Sequence, residues 1–158
     1  MINIRLLKLS DYKNISNFIQ IENNDFNYFK KLGWAEKQIR IQLEKKNSFS
    51  VGIYKNKSLI GFLMGEKINF DEQTSLEIYI IYISKNNRRQ KYATKLLEFI
   101  EKNKKDMMIS KIYLEVAENN ISAIDFYKKN EFVFSNLRHN YYIQESKNIS
   151  AQCYYKNL

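Results

Sequence analysis

The sequence predicts an α/β (α+β) fold: a mixed, mostly antiparallel central sheet flanked by helices on both faces. Three observations predict it. Short apolar runs of strand period alternate with longer runs of helical period, in the order β-α-α-β-β-β-α-β-α-β-β. The 158 residues suit one domain, residues 1–158, able to bury roughly two thirds of its unfolded surface. Apolar residues make up 44% and aromatics 15%, which argues against a disordered chain.

Each element follows from its spacing. Ile2, Ile4 and Leu6 alternate on one face of a first strand. Ser10 is the expected N-cap of a helix carrying Tyr12, Ile15, Phe18, Ile19 and Glu22 at helical spacing. A second helix starts near Trp34, with Ile39 and Leu43 on one side. Strands at 49–54 and 59–68 form a hairpin turned by Lys55-Asn56-Lys57-Ser58. The nearly continuous apolar run Leu76–Ile83 predicts a strand buried on both faces. After a basic turn, Tyr92, Leu96, Phe99 and Ile100 mark the inner side of a helix. In the strand Lys111–Val116, Ile112, Leu114 and Val116 share one face, and Tyr113 and Glu115 the other. Asn119 or Asn120 caps a short helix with Ala123, Ile124 and Tyr127 inward. Strands at 132–137 and 151–155, joined by a polar loop, complete the chain.

Composition limits the chemistry. One cysteine excludes a disulfide framework within the chain, and one cysteine with one histidine leaves no Cys/His zinc cluster, so no metal is expected. No window approaches the roughly 20 apolar residues of a membrane span, and the N-terminus turns charged too soon for a secretory signal. The expectation is a soluble cytoplasmic domain without a membrane partner. Net charge is +9, from 26 Lys+Arg against 17 Asp+Glu. That balance favours an anionic partner: nucleic acid, a membrane surface or a phosphate-bearing coenzyme. A genome rich in A and T codons, which favour Lys, Asn, Ile and Tyr, accounts for it equally well.

The informative unit is strand–basic turn–helix–strand–helix, residues 76–130. A helix N-terminus offers unpaired backbone N–H groups and a positive dipole end. Arg88, Arg89 and Lys91 add three cations there, so a pyrophosphate is the natural guest of the turn, with a solvated basic turn as the commoner alternative.

The turn Arg88-Arg89-Gln90-Lys91-Tyr92-Ala93, followed by Leu96-Leu97, resembles the acetyl-CoA motif Q/R-x-x-G-x-G/A of the GCN5-related N-acetyltransferases (GNAT family). Leu114-Glu115-Val116-Ala117-Glu118-Asn119-Asn120 with Ala123-Ile124-Asp125-Phe126-Tyr127 is similar to the second half of that family's core. Asn130-Glu131-Phe132 stands where the family has Gly-Phe. Within the family the likeness points to the RimI branch, the ribosomal-protein-alanine N-acetyltransferases. Arg138-His139-Asn140-Tyr141-Tyr142 and Gly33-Trp34-Ala35-Glu36-Lys37 resemble segments of that branch. Two departures stand out. Lys91 replaces the loop glycine, and Asn148-Ile149-Ser150-Ala151 lacks the Glu-Asp pair usual at the start of the last strand.

The resemblance implies transfer of an acetyl group from acetyl-CoA to an amine. It makes Glu115 the general base, with an ordinary exposed strand glutamate as the alternative. It makes Tyr127 the general acid, a role compatible with a packed core tyrosine. Ile81, Tyr82 and Ile83 would pair through their backbone with the pantetheine arm. Arg88, Arg89, Gln90, Lys91, Tyr92, Ala93 and Thr94 would form the pyrophosphate turn. Asn120 would touch the coenzyme or serve only as a cap. Trp34, Arg138, Tyr141 and Tyr142 would wall the amine groove, Trp34 equally as a core residue. His139 reads as a surface strand residue and Cys153 as a buried thiol. The implied acceptor is a protein N-terminus, ribosomal proteins included, met by a monomer or weak dimer. The alternatives are a small amine (polyamine or amino sugar) as acceptor, and a non-catalytic basic module that binds RNA or the ribosome.

Overall fold

The structure, a computed structural model, describes residues 1–22, 29, 33–70, 73–144 and 147–158. The chain runs β1 (Ile2–Leu6), a 3-10 turn (Leu9–Asp11), α1 (Tyr12–Ile21), α2 (Glu36–Glu44), β2 (Ser48–Lys55), β3 (Ser58–Phe70) and β4 (Gln73–Ile83). It continues through a 3-10 turn (Lys85–Asn87), α3 (Tyr92–Lys102), α4 (Lys104–Met107), β5 (Ile109–Ala117), α5 (Ile121–Lys129), β6 (Val133–Gln144) and β7 (Lys147–Asn157). The seven strands form one sheet in the order β1-β2-β3-β4-β5-β7-β6. Every neighbouring pair is antiparallel except β4–β5. The mixed, mostly antiparallel sheet is therefore as the residue pattern predicts.

Strand alternation divides the apolar side chains between two cores, one on each face. Val51, Ile53, Leu63, Leu76, Ile78, Ile112 and Leu114 meet α3 and α5 through Leu96, Leu97, Ile100 and Ile124. On the other face, Phe62, Met64 and Tyr82 meet α1 and α2 through Ile15, Ile19, Ile39 and Leu43. The β2–β3 hairpin closes at Asn56 and Lys57, both at positive φ (50° and 71°), the backbone that a two-residue turn of matching twist requires.

Four expectations are corrected. Ser10 does not cap α1; it lies in the 3-10 turn. Asp11 stands there instead, its carboxylate accepting from Arg5 at 2.7 and 2.9 Å and from the Lys8 amide at 2.9 Å. These bonds hold that carboxyl below its ordinary pKa, the Arg5 hydrogen bond most of all. β4 is not buried on both faces: Leu76 and Ile78 are buried, but Tyr79 is 40% exposed. The polar loop expected between the last strands is mostly strand, since β6 runs to Gln144 and β7 begins at Lys147; Glu145 and Ser146 lie outside the described residues. Cys153 is half-buried rather than buried.

One irregularity shapes the centre of the sheet. Met64 pairs with Ile80 and Gly65 with Ile78, so Tyr79 is an extra residue, a β-bulge on β4. A Cβ on Gly65 would lie 2.1 Å from the Glu77 carbonyl oxygen, so only glycine permits this approach. Buried Gln42 of α2 donates its side-chain amide to the Gly65 carbonyl at 3.0 Å and steadies the bulge. Parallel pairing of β4 with β5 ends just before the bulge, at Ile78–Leu114. Beyond it, residues 79–83 and 115–117 continue as strands without pairing to each other.

Gly65→Ala should destabilise the fold by about 3 kcal/mol through this backbone overlap. Urea titration should show a lower midpoint with an unchanged slope.

Candidate active site

The parting of β4 from β5 leaves a cleft whose two ends differ in chemistry. At one end, β4 leads into the basic turn. The Ser84 amide donates to the Ile60 carbonyl at 2.9 Å, and the Asn87 and Arg88 amides donate to Ser84 and Lys85 within the turn. Arg88 folds back, its Nε donating to the Ile83 carbonyl at 2.9 Å and its guanidinium lying 5.4 Å from the centre of the Tyr82 ring. Among the described residues, the amides of Arg89, Gln90, Lys91, Tyr92, Ala93 and Thr94 donate to no backbone carbonyl. Six successive donors at the positive end of α3 could hold a diphosphate. Arg89 and Lys91 are exposed beside them, while buried Tyr92 anchors the first turn of α3 in the core.

Both Arg89 and Lys91 adopt left-handed backbone, each at φ 59°. That conformation costs a side-chain-bearing residue roughly 1–2 kcal/mol. Lys91 therefore holds this turn at the expense of local strain.

At the other end, the sheet surface carries carboxylates and aromatic rings. Glu115 stands opposite Cys153 of β7, whose Sγ is 3.8 Å from Glu115 Oε1. Arg138 of β6 donates to the same oxygen at 2.5 Å and lies 4.0 Å from the centre of the Tyr141 ring. Tyr141 meets Tyr142 edge-on at 4.9 Å. Just before the strands part, on the paired stretch of β4 opposite Tyr113, half-buried Glu77 accepts a long hydrogen bond, 3.4 Å, from the Tyr79 hydroxyl, and the Tyr79 ring lies 6.5 Å from Trp34. The structure thus brings together Glu115, Arg138, Tyr141 and Tyr142, and extends the wall to Trp34, which also packs on the α1–α2 core.

These neighbours tune one another. Burial, then the charge of Glu115, raises the Glu77 carboxyl above its ordinary pKa. Burial, then Glu77, pushes the Tyr79 phenol far up. Burial, then Glu115, also raises Tyr141 and the Cys153 thiol, so both stay neutral near pH 7. Glu115, by contrast, faces the Arg138 guanidinium, which that hydrogen bond keeps charged.

Tyr127 sits half-buried on α5, its ring packed against Phe126, Phe132 and Tyr154 at 5.4, 5.6 and 6.4 Å between centres. Asn120 caps α5, its side chain accepting from the Ala123 amide at 3.2 Å. Ile81, Tyr82 and Ile83 pair with β3 and lie on the part of β4 beyond its pairing with β5, and His139 is an exposed strand residue. Glu77 and Tyr79 were missed in the sequence. Their signal is a single carboxylate inside an apolar strand, with Tyr79 two residues on. Among the described residues, no group of three or more His, Cys, Asp or Glu could hold a metal ion, and no helix is long and apolar enough to cross a membrane.

No curated protein matches the chain. Solved structures do. The ribosomal-protein-S18-alanine N-acetyltransferase of Escherichia coli superposes with TM-score 0.78 at 18% identity, over 99% of this chain and 94% of that one. Arabidopsis thaliana NAA60 in complex with acetyl-CoA gives 0.79 at 18%, over 100% and 99%. A spermidine N-acetyltransferase SpeG chimera from Vibrio cholerae and hSSAT gives 0.76 at 21%, over 99% and 94%. At such identities the likeness establishes the fold. The sequence profile of the acetyltransferase (GNAT) family matches residues 15–132, most of the chain and the whole of the cleft-forming unit from β3 to α5. The chain therefore belongs to the GNAT family of acetyltransferases.

Proposed function

We propose that this single domain, residues 1–158, moves the acetyl group of acetyl-CoA directly onto a protein N-terminal amine, as RimI-type enzymes do. The observation that carries the reading is the cleft itself: at one end six amides with no backbone acceptor among the described residues, at the other the carboxylates of Glu77 and Glu115, near enough that one feels the other's charge, with the part of β4 not paired to β5 between them. Family membership displaces the reading as a non-catalytic RNA-binding or ribosome-binding module.

Acetyl-CoA is a substrate of this reaction. Its pyrophosphate meets the amides of residues 89–94, with Arg89 and Lys91 supplying charge. Its pantetheine arm follows Ile81, Tyr82 and Ile83, where backbone N–H groups can polarise the thioester carbonyl. Arg88 acts from behind, holding the turn against β4. The amine nitrogen, after losing one proton to the base, attacks the carbonyl carbon; the C–S bond breaks with its electron pair on sulfur, and the second nitrogen proton is released to solvent, from which Tyr127 regains the proton it gives to the thiolate.

The base role read for Glu115 is shared with Glu77. An ammonium has no lone pair, and an α-amino group near pKa 7.7–8.0 needs only modest help to lose its proton. Arg138 holds Glu115 in an ion pair, whereas burial, then the charge of Glu115, raises the Glu77 carboxyl above its ordinary pKa. Glu77 is the better acceptor, and the Glu115–Arg138 pair aligns the incoming amine. Tyr127, a phenol protonated at neutral pH, donates to the departing thiolate. Trp34, Arg138, Tyr141 and Tyr142 wall the groove, and Asn120 borders the coenzyme as the cap of α5.

The RimI-like acceptor is supported by the Arg138–Tyr142 segment and by the likeness to the Escherichia coli enzyme. A polyamine is the second reading. It is favoured by Glu66, Glu77 and Glu115 on three neighbouring strands, close enough that Glu77 feels the other two charges. One cysteine and this class of reaction fit a cytoplasmic location.

Mass spectrometry with acetyl-CoA should show acetylation of Ala- or Ser-starting peptides in preference to spermidine; the reverse preference selects the polyamine reading. Glu77→Gln and Glu115→Gln should each lower kcat by about 10²-fold, with the KM for acetyl-CoA within about twofold. Since the base works deprotonated, kcat/KM should fall as pH drops through the raised Glu77 pKa, and Glu77→Gln should remove that limb. Tyr127→Phe should slow turnover about tenfold. Lys91→Gly should raise the thermal midpoint by relieving the left-handed backbone, yet weaken acetyl-CoA binding several-fold in calorimetry.

A further inference from the structure

We infer that Glu22 is a positioning residue for the coenzyme, fastening the end of α1 to the turn that grips the diphosphate. The inference rests on the acetyl-CoA reading above. Glu22 directly follows α1, its amide still bonded to the Phe18 carbonyl. Its Oε2 accepts two hydrogen bonds from distant parts of the chain: the Tyr82 hydroxyl at 3.1 Å and the Lys85 amide at 3.0 Å. Tyr82 belongs to the part of β4 beyond its pairing with β5, and Lys85 opens the turn. One carboxylate oxygen thus spans the two segments between which the coenzyme must be aimed.

The surrounding contacts form a continuous chain. The Tyr82 ring meets Phe18 of α1 edge-on at 5.8 Å and carries the Arg88 guanidinium, which in turn ties the turn to Ile83. In the turn, the amides of Ser84, Asn87 and Arg88 use carbonyls of β3 or of the turn itself. The Lys85 amide, by contrast, takes its partner from the α1 side of the sheet. Glu22 has the same sign of charge as a diphosphate, so it is no ligand contact. It acts by consuming the Lys85 N–H and fixing where the six donors of residues 89–94 begin. Hydrogen bonds to a carboxylate are the strong kind, and this one is shared by two donors.

The test separates positioning from plain stability. Glu22→Ala should raise the KM for acetyl-CoA about five- to tenfold with kcat and the acceptor KM within about twofold. Glu22→Gln, whose carbonyl oxygen can still accept from both donors, should restore most of the loss. Tyr82→Phe should show a smaller rise and add nothing to Glu22→Ala in the double variant. Ile19→Val, buried in the same α1 core, serves as a control that lowers the thermal midpoint without touching the turn. Hydrogen exchange without acetyl-CoA should show residues 82–88 exchanging faster in Glu22→Ala only. An unchanged acetyl-CoA KM in Glu22→Ala, or an equal rise in Ile19→Val, overturns the inference. If the wild type took up no acetyl-CoA, the coenzyme reading would fall by itself, and unchanged exchange in Glu22→Ala would separately overturn the fastening by Glu22.

Discussion

Everything functional in this fold depends on one extra residue in one strand. Tyr79 interrupts the pairing of β4 with β3, and the interruption needs a backbone contact that only Gly65 allows. Two parallel strands that stayed paired would have closed the sheet and satisfied each other's amides. Because β4 and β5 part after Ile78 and Leu114, the chain has an open backbone edge in its centre, flanked by packed helices. Gln42 reaches across from α2 to hold the bulged backbone, so the helix that covers the sheet also maintains its defect.

The two ends of the cleft are built by different means. The anion end is mostly backbone: amides freed by a turn and a helix start, in a loop held left-handed twice without glycine. The acceptor end is side chain: carboxylates, a guanidinium and rings arrayed on neighbouring strands. Backbone donors tolerate exchange of side chains, so a lysine at position 91 leaves them in place. The acceptor end has no such tolerance, because its charges are set by each other.

Much of this was legible in the residues. Alternation placed Ile112, Leu114 and Val116 inward and Glu115 outward, and the structure agrees, since period-2 patterning leaves a half-buried strand no other register. The basic turn before α3 was legible for the same local reason: apolar helix spacing starts sharply at Tyr92. Less local features were not. The run Leu76–Ile83 reads as doubly buried because a bulge reverses its alternation midway, hiding that Glu77 and Tyr79 face the groove. The long β6–β7 hairpin was hidden by its polar residues; at the sheet edge, polar side chains face solvent and the ladder alone defines the strands. The meeting of Arg138 with Glu115 depends on the order β5-β7-β6, which no local pattern contains.

The carboxylate-lined end has a consequence for how a catalytic cycle would finish. On the proposed reaction, an acceptor enters as a cation and leaves as a neutral amide. The field of Glu77 and Glu115 that draws it in has no comparable hold on what it becomes, so acetylation itself discharges the attraction. Release of the modified chain is then downhill electrostatically, and the groove is vacated for the next ammonium without any part of the sheet having to move.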